Sequence, residues 1–471
     1  MKKSLLAVAA LTAFAGAAQA QSSVTIYGLL DVGVIAQTNT GNLSSTSSTV
    51  PAALAGANAT GGSGIKPGTA VGVTSNAEAM SRIGFKGSEE LGGGTKAIFL
   101  LETGFNPATG TLGAQGMAGY PTSSANISGD SSVQGQLFNR GAYIGLSNDH
   151  YGTLTAGRQQ NLMLDNIGNY DPVQAFAVSP LQYSGSYGGG GRTDQGRVDK
   201  GLKYVWKSNG FNANVLYAPG GMAGNFSGGT TSGAQLGWEG SKFGIQAIAS
   251  HTTDAMNMAL VANSATSTST TALTPTGGPY TGATTTTTTT LSNINGMADT
   301  VVNTTSYMLT ARWQATDSLV FKGGYQRQQI GTPSNYENYN VTNTTTGIPL
   351  TLAAGQTNYA VNVLFAGAQF QATPTIKVSG GYYYAGTPAA GTCVTGTVFS
   401  SKTGGCTGTA QYEALLVDYS FSKRTNLYAM AGNTTLTGGQ TYTYANVVGG
   451  ATTAKNMTGQ QTYALGMKHM F

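Results

Sequence analysis

Apolar and polar side chains alternate with period two in about sixteen stretches of this chain. The last ten residues, Thr462 to Phe471, show the pattern most clearly. Tyr463, Leu465, Met467, His469 and Phe471 share one face, and Thr462, Ala464, Gly466 and Lys468 share the other. Successive side chains of an extended backbone point to opposite sides, so this period predicts strands. Their predicted cores are residues 24–34, 81–87, 95–103, 137–147, 153–159, 198–207, 211–218, 234–238, 243–251, 307–314, 319–326, 359–370, 376–384, 412–421, 426–431 and 463–471. Tight polar turns join them in pairs. These turns are SEELGGG (88–94), SNDHYG (147–152), KSNG (207–210), WEGSK (238–242), ATDS (315–318), ATPT (372–375) and SKRT (422–425). Between the pairs lie long Gly/Ser/Thr/Asn segments at 38–76, 107–135, 160–197, 254–304, 331–356 and 385–410, with a threonine run at Thr284 to Thr290.

A strand of about ten residues is long enough to cross a bilayer when tilted, and only a closed barrel lets strands do so with every backbone group paired. Alternation alone also fits a soluble sandwich, whose apolar face would line a core. Two features favour the barrel. Aromatic residues end the apolar faces, as at Trp206, Trp313, Tyr384 and Phe421, which suits interfacial girdles. Short turns at one end and long loops at the other match a periplasmic and an extracellular side. The expected fold is therefore all-β, an antiparallel transmembrane barrel of about 16 strands with long extracellular loops.

The N-terminus changes the compartment. Lys2 and Lys3, an apolar run from Leu5 to Ala18 and the small-x-small site Ala18-Gln19-Ala20 read as a signal peptide over residues 1–20, leaving residues 21–471 as one barrel domain. With 69 Gly, 24 Tyr and only 9% charged residues, the composition departs from the roughly 25% charge of an average soluble domain. Without Lys2 and Lys3 the 23 basic residues become 21 against 18 acidic, a net of +3, too weak for nucleic-acid binding. Cys393 and Cys406 are the only cysteines, and in an exported chain they read as a disulfide stapling one loop. Two Cys and three scattered His do not assemble a metal site. His150, His251 and His469 fall far apart along the chain, so no nucleophile-base pair suggests an enzyme. The GGGG at 188–191 lacks the Lys-Ser/Thr of a phosphate loop, and no cofactor is implied.

Five stretches carry a family resemblance: SSVTIYGLLDVGV (22–34), SRIGFKGSEELGGGTKAIFLLETGF (81–105), RGAYIGL (140–146), GRQ (157–159) and the terminal GMKHMF. In sequence and order they resemble the trimeric general-diffusion porins of Gram-negative bacteria, particularly the betaproteobacterial branch. The resemblance implies an outer-membrane homotrimer passing ions and small hydrophilic solutes, with a third loop folded into the lumen at 160–197. It implies a basic wall at Arg82, Arg140, Arg158 and Lys203, where Lys203 replaces the family's usual arginine and loses its planar, stackable head. It implies loop acids at Asp165 and Asp171 facing that wall. It also implies that Phe471 belongs to the signal read by the outer-membrane insertion machinery.

The residues support part of this independently. Arg82 shares parity with Gly84 and Lys86, opposite Ile83 and Phe85, and an arginine facing lipid near the midplane would cost about 2 to 4 kcal/mol. Asp165 and Asp171 read equally well as cap or turn residues, since Asp171 precedes Pro172. Basic residues outnumbering loop acids suggest a mild anion preference. An outer-membrane hydrolase and a surface adhesin are the competing readings; an adhesin would not form channels.

Overall fold

A computed structural model of the chain describes residues 23–40, 68–108, 110–112, 137–181, 196–221, 226–270, 286–331, 359–387, 408–437, 442–448 and 451–471. The expected signal peptide and both cysteines, Cys393 and Cys406, lie outside the described residues.

Sixteen antiparallel strands close into one barrel. In chain order they are β1 (Ser23–Thr40), β2 (Arg82–Gly92), β3 (Thr95–Asn106), β4 (Gly141–Asn148), β5 (Gly152–Gln160), β6 (Arg197–Ser208), β7 (Phe211–Ala218), β8 (Thr231–Glu239), β9 (Phe243–Thr270), β10 (Thr286–Thr316), β11 (Leu319–Gly331), β12 (Tyr359–Gln371), β13 (Ile376–Thr387), β14 (Gly408–Ser420), β15 (Thr425–Leu436) and β16 (Gly459–Met470). Each pairs with its neighbour. The seam is made by β1 against β16, with Leu29 opposite Met470 and Gln37 opposite Thr462. Along its other edge β1 pairs first with β2 and then with a short strand, Gly68–Ser75. Closure gives each of the sixteen barrel strands a hydrogen-bonded neighbour on both sides.

The seven tight turns connect the pairs as the sequence predicts, tightest where glycine supplies positive φ, as at Gly93, Gly94 and Gly210. Two loop expectations need correction, the first being that the segment 38–76, read as loop, holds the strand Gly68–Ser75. The segment 254–304, also read as loop, continues the β9–β10 ladder, with Ala255 opposite Val302 and Thr270 opposite Thr286. Its β-branched threonines favour an extended pair even where alternation is absent.

The outer surface is apolar and exposed: Ile144, Leu154, Leu236, Leu309, Leu364 and Leu465 all point away from the protein. A belt this continuous is a lipid-facing surface. Near the short turns it ends in aromatic pairs, with Trp313 stacked on Phe321 at 5.7 Å and Tyr419 edge-on to Phe421 at 5.0 Å. No helix among the described residues is long and apolar enough to cross a membrane.

A second apolar surface lies inside. Ile248, Met308, Val363, Phe365, Tyr383, Leu416 and Met430 turn inward from β9 to β15. They pack on Leu162, Met163, Ile167, Val173, Val178 and Leu181, all from the segment after β5. The barrel is thus filled on one side by its own third loop, and the passage is displaced toward the opposite wall.

Candidate constriction site

The third loop is a short helix followed by a strap. Asn161 caps α1 (Leu162–Tyr170), its side-chain oxygen accepting the Leu164 amide at 2.8 Å. Pro172 disfavours a helical residue before it, and α1 stops at Tyr170. The buried face of α1 carries Leu162, Met163, Asn166, Ile167 and Tyr170. Asn166 donates to Thr310 Oγ1 at 2.9 Å, and Tyr170 donates to Glu239 at 2.5 Å. Burial, with the bond to Glu239, raises the Tyr170 phenol far above its ordinary value, so it remains a donor. The other face presents Asp165 and Asn169 to the lumen.

The strap, residues 171–181, lies flat on the wall. The Asp171 carboxylate is fully buried, accepting from Tyr383 at 2.5 Å, Ser179 at 2.7 Å and the Val173 amide at 3.2 Å. Beyond it, the Phe176 and Ala177 amides donate to the carbonyls of Glu78 and Ala77, at 3.2 and 2.8 Å. The loop is therefore moored at both ends of its run. Glycine makes the close approach possible: a Cβ at Gly381 would sit 2.9 Å from Val173 Cγ2 and 3.1 Å from Pro172 Cγ, and one at Gly432 would sit 2.8 Å from Val178 Cγ1. Gly381→Val is expected to lift the strap toward the passage, lowering single-channel conductance while leaving the barrel folded; conductance equal to wild type would refute the close-packing account.

Across the passage stands the wall of β2 to β6. Arg140 donates to Glu102 at 2.6 Å, Arg82 approaches the same carboxylate at 3.7 Å, and the Tyr27 hydroxyl donates to it at 2.7 Å. Arg197 donates to the Arg140 carbonyl at 2.9 Å. Lys203 reaches over to the loop, donating to Asp165 at 2.5 Å and to the Gln160 carbonyl at 3.0 Å. Between wall and loop lies a cavity of about 1350 Å³.

Its lining gathers most of the sequence-predicted residues: Arg82, Arg140, Lys203 and Asp165 all face it. Arg158 and Asp171 are outside that lining. Arg158 donates to the Asn139 carbonyl at 2.7 Å and pairs with Asp199 at 2.6 Å. Asp171 is the buried residue that ends α1. Reasoning from sequence missed Glu102, Arg197, Lys207, Glu239, Arg312 and Lys322, which also line the cavity. Glu102 was within reach: counting the hairpin outward from Gly93-Gly94 sets it opposite Gly84, one step along from Arg82. The others sit on strands that are far from Arg82 in the chain. Seven lining bases (Arg82, Arg140, Arg197, Lys203, Lys207, Arg312, Lys322) against three acids (Glu102, Asp165, Glu239) give the described lining a net charge of +4.

Comparison with known proteins fits this geometry. The Gram-negative porin family matches residues 7–439. The chain is 36% identical over 175 residues to an outer membrane porin protein of Bordetella pertussis, covering 37% of this chain and 38% of that protein. It is 30% identical over 226 residues to outer membrane porin protein 32 of Delftia acidovorans, covering 46% and 50%. These matches thus span half or less of each curated relative. Among solved structures, an anion-selective porin from Comamonas acidovorans superposes with a TM-score of 0.57 at 16% identity, over 96% of this chain and all of that one. The trimer form of OmpT from Vibrio cholerae superposes with a TM-score of 0.53 at 12% identity, over 96% and 99%.

Proposed function

This chain belongs to the Gram-negative porin family, and from that premise we propose that it forms a water-filled channel through the outer membrane for passive diffusion of small hydrophilic solutes, with a preference for anions. The observation that carries the reading is the cavity between wall and loop, with its net charge of +4. Fixed charges lining a narrow aqueous path change the local concentration of each ion sign without binding either tightly. Among the described residues, only Asp165 brings loop acidity to the passage, and Lys203 already pairs with it. The loop therefore offers little opposing field, and the positive wall dominates.

Arg82, Arg140 and Lys203 are the wall residues assigned to selectivity, while Arg158 and Asp171 hold the loop and its flanks in place. A homotrimer is proposed, with the exposed valines and leucine of β1, the Gly68–Ser75 strand and β16 as its face, including Val34, Val71, Val73 and Leu465. Phe471 is assigned to assembly: its amide and carbonyl exchange hydrogen bonds with Gly28 at 3.1 and 3.0 Å, closing the seam away from the passage. No catalytic role is proposed. The three histidines lie on separate elements, and no group of three His, Cys, Asp or Glu among the described residues could hold a metal.

Purified protein in a planar bilayer is expected to give stable conductance steps in threes. In a salt gradient the reversal potential should carry the sign of anion preference. That preference should shrink toward zero near 1 M salt, where the screening length falls to about 3 Å. Cation preference in dilute salt would sink the anion reading, and absence of channels would favour an adhesin.

A further inference from the structure

Lys322 stands apart from the other charges of the lumen. It lies on β11 directly opposite Arg312 of β10, both turned toward the cavity, whereas Trp313 and Phe321 beside them face lipid. Like charges in a directly opposed cross-strand pair destabilise a sheet unless something offsets them. For Arg312 the offset is present: its guanidinium pairs with Glu239 and donates to the Gly240 carbonyl at 2.7 Å. Lys322 makes no hydrogen bond or ion pair among the described residues.

Asp171 and Glu239 attract it from a distance, but neither bonds to it. Asp171 is committed to Tyr383, Ser179 and Val173, and Glu239 to Arg312 and Tyr170. Lys377, the other cation on this side, is bridged to Asp418 at 3.4 Å. Gln369 spends its amide on the Pro172 carbonyl at 2.9 Å, and Gln314 on the Thr316 carbonyl at 2.6 Å. On the far side of Lys322 its ladder partner is Gly367, which has no side chain. The result is a half-buried ammonium that lines the cavity without a hydrogen-bond acceptor among the described residues, beside a guanidinium with donors to spare.

We propose that Lys322 and Arg312 form an anion-binding step on the short-turn, periplasmic side of the constriction, separate from the Arg82–Arg140 wall. The class of ligand is a small oxyanion with one or two charges. A compact phosphate or carboxylate group can bridge an ammonium and a guanidinium directly opposed on one ladder rung and relieve their repulsion. An anion released by the wall would pause here before leaving the pore. The proposal rests on the channel reading above and adds a discrete, saturable site to it.

The test uses the full-length channel in planar bilayers carrying potassium chloride, with inorganic phosphate added at rising concentration on the short-turn side. Wild type should show chloride current falling along a saturating curve. Lys322→Met should raise the half-inhibiting concentration tenfold or more while its conductance in chloride alone confirms an open barrel, and Lys322→Arg should restore it. Lys423→Met, which removes a charge in the β14–β15 turn outside the cavity lining, should leave the curve unchanged. An unchanged curve in Lys322→Met, or an equal shift in Lys423→Met, would overturn the site while leaving the channel intact. Absence of chloride conductance in wild type would instead overturn the channel reading.

Discussion

Replacing both Arg82 and Arg140 by alanine is expected to move the reversal potential strongly toward cations, lowering the anion-to-cation permeability ratio by about tenfold in dilute salt, or roughly 1.4 kcal/mol. The effect exceeds the loss of two positive charges. Glu102 is held by both guanidinium groups, and without them its carboxylate keeps only the Tyr27 hydroxyl. The passage thus loses two cations and gains a bare anion at the same place. Glu102→Gln should act in the opposite direction, raising anion preference. Of the single variants, Arg140→Ala should weigh more than Arg82→Ala, because its contact is 2.6 Å instead of 3.7 Å and its side chain is more deeply buried. Bi-ionic potentials at two salt concentrations check this: a double variant that keeps wild-type selectivity in dilute salt would remove Arg82 and Arg140 from the selectivity mechanism.

The second large effect concerns the seam. Asp31→Ala is expected to lower barrel stability by about 3 kcal/mol or more, because it leaves two buried donors and one part-buried donor without an acceptor and each costs about 1 to 3 kcal/mol. Those donors are the Glu78 amide at 2.8 Å, the Ala79 amide at 2.7 Å and the Tyr428 hydroxyl at 2.5 Å. Asp31 belongs to β1 and Tyr428 to β15, so this one carboxylate spans β16 and ties both sides of the closure. Glu78 in turn pairs with Lys468 of β16 and accepts from Asn426 at 3.1 Å. The same 76–81 segment moors the strap, so surviving Asp31→Ala channels should also show noisier current. Tyr428→Phe removes one donor only and should cost less. Unfolding in denaturant, read by the loss of heat-modifiable migration on a gel, ranks the variants; an Asp31→Ala midpoint equal to wild type would contradict the seam account.

These two networks mark how far the sequence could be read. Strand positions and the seven tight turns follow from period two and from Gly, Asn and Asp, and both are local properties of the chain. Arg82 could be assigned to the wet side because its neighbours Ile83 and Phe85 take the other face. Met308, Phe365, Tyr383 and Met430 could not be assigned in this way, since an inward apolar side chain looks like an interruption until α1 and the strap lie over it. Asp171 illustrates the same limit. Cap and pore acid are equally open until Tyr383, distant in the chain, and Ser179, within the same strap, enclose it.

The sequence by itself determined a barrel of about sixteen strands, its lipid face, its short-turn end and the presence of basic wall positions, because each depends on residues within one strand or hairpin. Only the tertiary structure decided which charges meet. Glu102 between two arginines, Lys203 on Asp165, Asp31 under Tyr428 and Lys322 without a partner all depend on ring closure and on where the third loop rests. Closure brings together strands separated by most of the chain, and no local periodicity encodes that register.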